Sequence, residues 1–278
     1  MRINLAKSAG FCFGVKRALE IALITAAKEK RVEMLGDIVH NEEVVSQIKK
    51  AGIKKIGHLG KGKGKILLIR AHGTSTGTYK KVRALGYKIV DATCPMVQEI
   101  HKIAKENEKK GYRIIIIGDK KHDEVQGILG QLKKKALVID SSKDISKKIK
   151  GTTKAVVVVQ STQNLEKTLE IVKALDKHIQ KLRFFNTICE PTRSKQKEIK
   201  AMAAKNNLMI IIGSKTSANT KRLYEISKSI NKQTIWIQSK DEIKPIWFKG
   251  ISSVGITAGA STPEDTTQAV IKRIKRIK

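Results

Sequence analysis

The sequence predicts an α/β protein of three lobes related by a pseudo-threefold repeat, with mainly parallel sheets around a central cavity. The 278-residue chain has only three cysteines, and each heads the same pattern. Cys12 is followed at +24 by Gly36 and at +28 by His40; Cys94 stands in the same relation to Gly118 and His122, and Cys189 to Gly213 and Ser217. At +30 stand Glu42, Glu124 and Asn219. Identical spacing in three copies marks an internal repeat. Short, near-continuous apolar runs also alternate with amphipathic stretches, as in parallel sheets covered by helices. Polar clusters follow those runs, at the carboxyl edge where such sheets bind ligands. The repeat divides the chain into lobes 13–93, 94–187, and 1–12 together with 188–278.

Taken in order, Val15, Ala18, Leu19, Ala22, Leu23 and Ala26 recur at helical spacing, so a helix is expected over Phe13–Lys30, directly behind Cys12. A second helix is expected over Glu42–Ala51, behind His40-Asn41. The glycine-lysine stretch Gly60–Gly64 reads as a flexible turn before the apolar run Lys65–Ile69. That run ends in Ala71-His72-Gly73-Thr74-Ser75, which opens a helix from Thr78. After Cys94, Pro95 suits the first turn of a helix reaching about Lys110. Strand Arg113–Ile117, the cluster His122–Glu124 and a helix over Val125–Lys133 follow. Ala136–Ile139 and Ala155–Val159 are strands, the second leading into Gln160–Asn164. The third copy repeats this: helix Thr192–Lys205, strand Leu208–Ile212, cluster Ser217–Asn219, helix Thr220–Ser229, then strands Thr234–Ile237 and Ser253–Ile256. The last of these runs into Ala258–Pro263.

Hydrophobic residues make up 40% of the chain and charged ones 29%, as in soluble globular proteins. The apolar runs are far too short to span a bilayer, and no secretory leader opens the sequence, so a cytoplasmic protein without membrane association is expected. Three cysteines with no CxxC pair argue against a disulfide framework. Against 57 Lys and Arg stand 25 Asp and Glu, a formal net charge of +32. Such a field attracts polyanions. Aromatics are only 4% and no nucleic-acid signature appears, so the charge is read as lysine-rich solvated helix faces, compatible with an anionic small ligand.

One buried cysteine is usually an inert small hydrophobe. Three at equivalent repeat positions converge on the pseudo-threefold axis, where they could ligate zinc with an open fourth position or three corners of a [4Fe–4S] cluster. An all-sulfur donor set is the softer choice and favours iron–sulfur. His58, His101 and His178 lie on expected helices or polar loops and receive no role. His40, His72 and His122 sit at the carboxyl edge; imidazolium, Ser/Thr hydroxyls and an Asn amide together make a donor-rich pocket suited to a diphosphate. Glu124 stands beside such a cluster. It reads either as a first-turn glutamate favoured by the helix dipole or as a proton source near the open metal position.

Gly10-Phe11-Cys12-Phe13-Gly14-Val15, Val39-His40-Asn41, Ala71-His72-Gly73, Asp91-Ala92-Thr93-Cys94-Pro95 and Thr257–Pro263 resemble the 4-hydroxy-3-methylbut-2-enyl diphosphate reductases, which complete the methylerythritol phosphate route to isoprenoids. The match runs in order from the N-terminus to the final helix. The resemblance implies one [4Fe–4S] cluster held by Cys12, Cys94 and Cys189, with an open fourth iron for the substrate's C4 hydroxyl. It implies that His40, His72, His122, Ser217, Asn219 and Ser261 hold the diphosphate, with Ser161 nearer the hydroxyl end. Glu124 would deliver protons as the C4 oxygen leaves as water, giving isopentenyl or dimethylallyl diphosphate. An electron donor such as ferredoxin or flavodoxin is implied, with monomer and homodimer both open.

The chain departs from the family pattern in several places. Ser161 replaces a usual Thr and keeps the hydroxyl. Ala218 replaces a second Ser, a loss of about 0.5–1.5 kcal/mol if that hydroxyl made one net hydrogen bond. Asp123 replaces a Pro between His and Glu, Asp119 stands near a frequent His, and Lys195-Gln196 replaces Arg-Gln. Two alternatives keep the metal site but change the class: a basic nucleic-acid-binding protein with a structural metal, and a zinc hydrolase of a phosphorylated substrate.

Overall fold

The computed structural model describes residues 1–143 and 145–277. These form two compact units. One comprises Met1–Lys16, Val39–Gln47 and Glu190–Lys278; the other comprises Arg17–Ile38 and Ile48–Cys189.

The first unit carries one four-stranded parallel sheet in the order β11-β10-β12-β1, with β1 (Arg2–Leu5), β10 (Leu208–Ile212), β11 (Thr234–Ile237) and β12 (Ser253–Ala258). Helices α8 (Glu190–Lys205), α9 (Ala218–Ile230) and α10 (Glu264–Lys275) accompany it. Strand β10 is apolar throughout because both its faces are covered. Ile210 and Ile212 join Val270 and Ile274 on one face. Met209 and Ile211 join Ile199, Leu223 and Ile226 on the other. Side chains alternate across a strand, so a doubly covered strand shows no polar alternation.

The second unit carries two more sheets of the same kind. One runs β3-β2-β4-β5, with β2 (Val32–Leu35), β3 (Lys54–Ile56), β4 (Ile66–Ile69) and β5 (Lys88–Asp91). The other runs β7-β6-β8-β9, with β6 (Arg113–Ile117), β7 (Leu137–Ile139), β8 (Lys154–Val159) and β9 (Lys181–Phe184). Helices α3 (Thr76–Ala84), α4 (Pro95–Lys109), α5 (Asp123–Leu129), α6 (Ile145–Lys148) and α7 (Leu165–Asp176) belong to this unit, whereas α1 (Phe13–Lys28) starts with residues of the first unit and α2 (Glu42–Lys50) lies mostly in the first. Alternate residues of β6 again enter different cores: Ile115 and Ile117 pack with Ile171 and Leu175, and Ile114 and Ile116 with Ile100 and Ile128.

All three sheets follow one plan, in which the chain visits the second position, then an edge, then the third position, then the far edge. In the first unit the far edge is filled by β1, from the other end of the chain. This plan places a topological switch point between β2 and β4, between β6 and β8, and between β10 and β12, where ligands bind in open parallel sheets. The repeat glycine has one job in each sheet. The N–H groups of Gly36, Gly118 and Gly213 donate to the carbonyls of Ile56, Ile139 and Ile237, the last residues of the neighbouring edge strands. At Gly118 a side chain has no room, since a Cβ would stand 2.8 Å from Val125 and 2.9 Å from Gln160.

Strands Arg113–Ile117, Leu208–Ile212 and Thr234–Ile237 lie where the sequence places them. Three helices begin earlier than expected, at Asp123, Glu190 and Ala218, the first and last of them behind polar clusters. A residue of the cluster caps two of them: His122 accepts from the Glu124 N–H, and Ser217 from the Thr220 N–H. Helix α5 also stops at Leu129 rather than Lys133, with Gly130 as its C-cap. In the Gly60–Gly64 turn the Gly62 N–H donates to Leu85 O at 2.8 Å, and a Cβ at Gly62 would collide with the Tyr87 ring.

Candidate functional site

Each cysteine stands at the same structural position, between a far-edge strand and the helix that follows: Cys12 after β1, Cys94 after β5, Cys189 after β9. Each is also fixed by the same backbone bond. The N–H of Cys12 donates to Ala260 O at 3.1 Å, that of Cys94 to Ala71 O at 3.0 Å, and that of Cys189 to Ser161 O at 3.1 Å. The acceptor is always in the loop leaving the third-position strand, β12, β4 or β8. None of the three is in a disulfide, and all are half-buried. Each directly precedes a helix of 15 or 16 residues. A half-buried thiol at the head of a helix, with sulfur rather than a hard oxygen as its donor atom, is the ligand type that suits an iron–sulfur cluster.

In the second unit the loops leaving β4, β6 and β8 bring His72, His122, Glu124 and Ser161 into one connected group. The rings of His72 and His122 meet edge to face, with centroids 5.5 Å apart. His122 Nδ1 accepts the Glu124 N–H at 3.2 Å. The carboxyl group of Glu124 is buried and receives the Ser161 N–H at 2.6 Å and the Ser161 hydroxyl at 2.7 Å. Burial pushes its pKa up, and the two Ser161 bonds hold it partly down. A carboxyl raised by burial keeps its proton at higher pH, as a proton donor requires. Ser161 O in turn accepts the Cys189 N–H. The Glu124 carboxyl and a candidate sulfur ligand thus share one residue as their support.

Asp123 forms an ion pair with Arg70 at 2.7 Å. It ties the residue beside His122 to the strand end two residues before His72.

In the first unit Ser217 and Asn219 sit at the head of α9, and Ser261 follows β12. Ser217 and Ser261 are buried, and the Ser261 hydroxyl donates to His40 O at 3.2 Å. Asn41 caps α2 by accepting the Glu43 and Val44 N–H groups at 3.0 and 3.1 Å, which fixes the turn that carries His40. Asn219 is 4% exposed, and its buried Nδ2 has no hydrogen-bond partner among the described residues. An unsatisfied buried amide costs about 1–3 kcal/mol, which an anionic oxygen accepting from it would recover.

Two residues near these groups carried no role in the sequence reading. His101, on α4, is buried, and burial pushes its pKa down to about 4. Lys195, on α8, is 3% exposed. A signal for the lysine was present: Thr192, Lys195, Ile199 and Ala203 form the buried stripe of α8 at helical spacing.

Residues 3–275 match the family model described as LytB protein. A relative from Geobacter metallireducens, named 4-hydroxy-3-methylbut-2-enyl diphosphate reductase, is 38% identical over 277 residues, covering 100% of this chain and 98% of its own. One of the same name from Caldanaerobacter subterraneus subsp. tengcongensis is 40% identical over 283 residues, with coverages of 100% and 98%. A solved structure of (E)-4-hydroxy-3-methyl-but-2-enyl diphosphate reductase, described as the terminal enzyme of the non-mevalonate pathway, is 37% identical with a TM-score of 0.73 and full coverage of both chains. The corresponding reductase structure from Plasmodium falciparum is 27% identical with a TM-score of 0.91, covering 98% of this chain and 87% of its own. The α/β fold of three parallel sheets agrees with both. These full-length likenesses do not favour the nucleic-acid or zinc-hydrolase alternatives. Among the described residues no helix is long and apolar enough to cross a membrane.

Proposed function

The chain belongs to the LytB protein family, and on that premise we propose that it reduces 4-hydroxy-3-methylbut-2-enyl diphosphate. The allylic C4–O bond breaks, the oxygen leaves as water, and the carbon skeleton takes up two electrons and a proton to give isopentenyl or dimethylallyl diphosphate. A second proton goes to the departing hydroxyl. The observation that supports this most directly is the buried Glu124 carboxyl, held by Ser161, whose carbonyl also holds the Cys189 N–H.

Cys12, Cys94 and Cys189 would hold a [4Fe–4S] cluster with an open fourth iron; when bound, it supplies the electrons and a Lewis-acidic position. The rest falls to side chains. His40, His72, His122, Ser217, Asn219 and Ser261 bind the diphosphate through N–H and O–H donors. The unpartnered amide of Asn219 supports that role. Ser161 lies at the hydroxyl end, where it orients Glu124. Glu124 keeps a proton in a dry setting and releases it toward the departing oxygen or the carbon. Ala218 supplies no hydroxyl, so the diphosphate rests on fewer side chains here than in relatives with Ser. The three lobes 13–93, 94–187, and 1–12 with 188–278 belong to this proposal as its functional repeats. A small acidic one-electron carrier such as ferredoxin or flavodoxin suits a chain of net charge +32.

The test is anaerobic oxidation of reduced viologen by cluster-loaded protein, with and without the hydroxylated allylic diphosphate. Substrate-dependent oxidation with isopentenyl and dimethylallyl products is expected. No oxidation from a fully loaded protein would overturn the proposal.

A further inference from the structure

We propose that Lys195 is the positioning residue for Cys12, clamping the segment Ser8–Gly10 onto the end of β12 so that Cys12 is held at the head of α1. The inference rests on reading Cys12 as a cluster ligand, and it concerns a problem that only this cysteine has. Cys94 and Cys189 follow far-edge strands reached from the third position through one helix, α3 or α7. Cys12 follows β1, whose neighbour β12 lies at the opposite end of the chain. No short connection ties that edge to its neighbour, so beyond the sheet ladder the segment leading to Cys12 relies on side chains.

One turn of α8 does so with two opposite charges. The Lys195 ammonium donates to Ser8 O, to Gly10 O at 3.0 Å and to Ala258 O at 3.2 Å. An ammonium has three protons, and here three carbonyls meet it. Two of these carbonyls precede Cys12 by four and two residues, and the third closes β12. One turn further on, the Glu198 carboxylate accepts the Lys7 N–H at 2.7 Å, the Ser8 N–H at 3.0 Å and the Ser8 hydroxyl at 2.5 Å. Carbonyls of the segment therefore face a cation and its N–H groups face an anion. Gly10 N–H to Ala258 O at 3.4 Å and Cys12 N–H to Ala260 O at 3.1 Å complete the attachment. Burial pushes the Lys195 pKa down to about 8, while the charges of Cys12 and Glu198 act to raise it. A buried lysine is retained at such a cost when its donors are needed, and a shorter or apolar side chain would leave the carbonyls unmet.

The test needs no turnover. In metal-free protein, the alkylation rates of Cys12, Cys94 and Cys189 are read separately by mass spectrometry for wild type, Lys195→Met and Lys195→Arg. Lys195→Met is expected to speed Cys12 about tenfold, the factor carried by about 1.4 kcal/mol, and to leave Cys94 and Cys189 unchanged. Lys195→Arg, which keeps the donors, is expected to restore the wild-type rate. Unchanged Cys12 reactivity in Lys195→Met, or equal acceleration of all three thiols, overturns the clamp. If Lys195→Met does not fold, Lys195→Gln is judged by the same criteria. In cluster-loaded protein, Lys195→Met is expected to lose iron to a chelator faster than wild type, and equal rates overturn the link to the cluster. A wild type that takes up no cluster counts against the proposed function and leaves the thiol comparison intact.

Discussion

Both carboxyl oxygens of Glu124 are held by Ser161, one through the backbone N–H at 2.6 Å and the other through the hydroxyl at 2.7 Å. The two residues leave neighbouring strands, β6 and β8, on the two sides of a topological switch point. That arrangement buries an acid without leaving its oxygens unpaired, and it makes the protonation of Glu124 answerable to Ser161.

Glu124→Gln keeps the shape and one acceptor for Ser161 but cannot give up a proton. Iron content and the circular dichroism spectrum are expected to match wild type, while turnover falls about 10²–10⁴-fold, the range for a lost general acid. Turnover within a few-fold of wild type would remove Glu124 from proton delivery.

Ser161→Ala removes the hydroxyl bond that holds the Glu124 pKa down against burial. The carboxyl then keeps its proton to higher pH. The alkaline limb of the turnover profile is expected to move up in pH, and Ser161→Thr should leave it in place. A limb that stays put in Ser161→Ala would mean that another group sets it.

His101 offers a test of stability rather than activity. Its pKa falls from 6.5 to about 4, chiefly through burial, with Lys105 adding to the fall and Asp91 opposing it. The unfolded chain binds a proton below 6.5 that the folded chain refuses until about 4. The stability from neutral His101 is therefore complete above 6.5 and is lost as pH falls through that window. Two and a half pH units at about 1.4 kcal/mol each amount to about 3–4 kcal/mol at most. In urea titrations at pH 7 and pH 4.5, His101→Gln should show a smaller acid loss than wild type.

Gly73, one residue after His72, has φ +71°, and a Cβ there would stand 2.9 Å from His101 and 3.1 Å from Thr93. Gly73→Ala is expected to cost about 2–4 kcal/mol in urea unfolding, from left-handed strain and overpacking together. Gly52, with φ +91° and open space around it, is the control: Gly52→Ala should cost about 1–2 kcal/mol, the strain alone. Equal losses would show that His101 gives way freely.

The cysteine repeat, the doubly covered strands and the loops at the carboxyl edge were all legible in the sequence, because each depends on spacing along the chain. Thr192, Lys195, Ile199 and Ala203 also show that a buried cation could be read from a helical stripe, although its partners could not. Helix starts at Asp123 and Ala218 were misjudged because His122 and Ser217 look like members of a loop cluster until their side chains are seen accepting from the helix.

By itself, then, the sequence determined which residues recur: three thiols, the repeat glycines, and a histidine, serine or carboxyl at each strand end. Periodicity encodes these because a strand or helix repeats over a few residues. Only the tertiary structure decided what each one meets. Glu124 finds Ser161 across 37 residues, and Lys195 finds Gly10 across 185. Such partners are chosen by how the sheets close, and β1 reaches its place beside β12 only when the two ends of the chain come together.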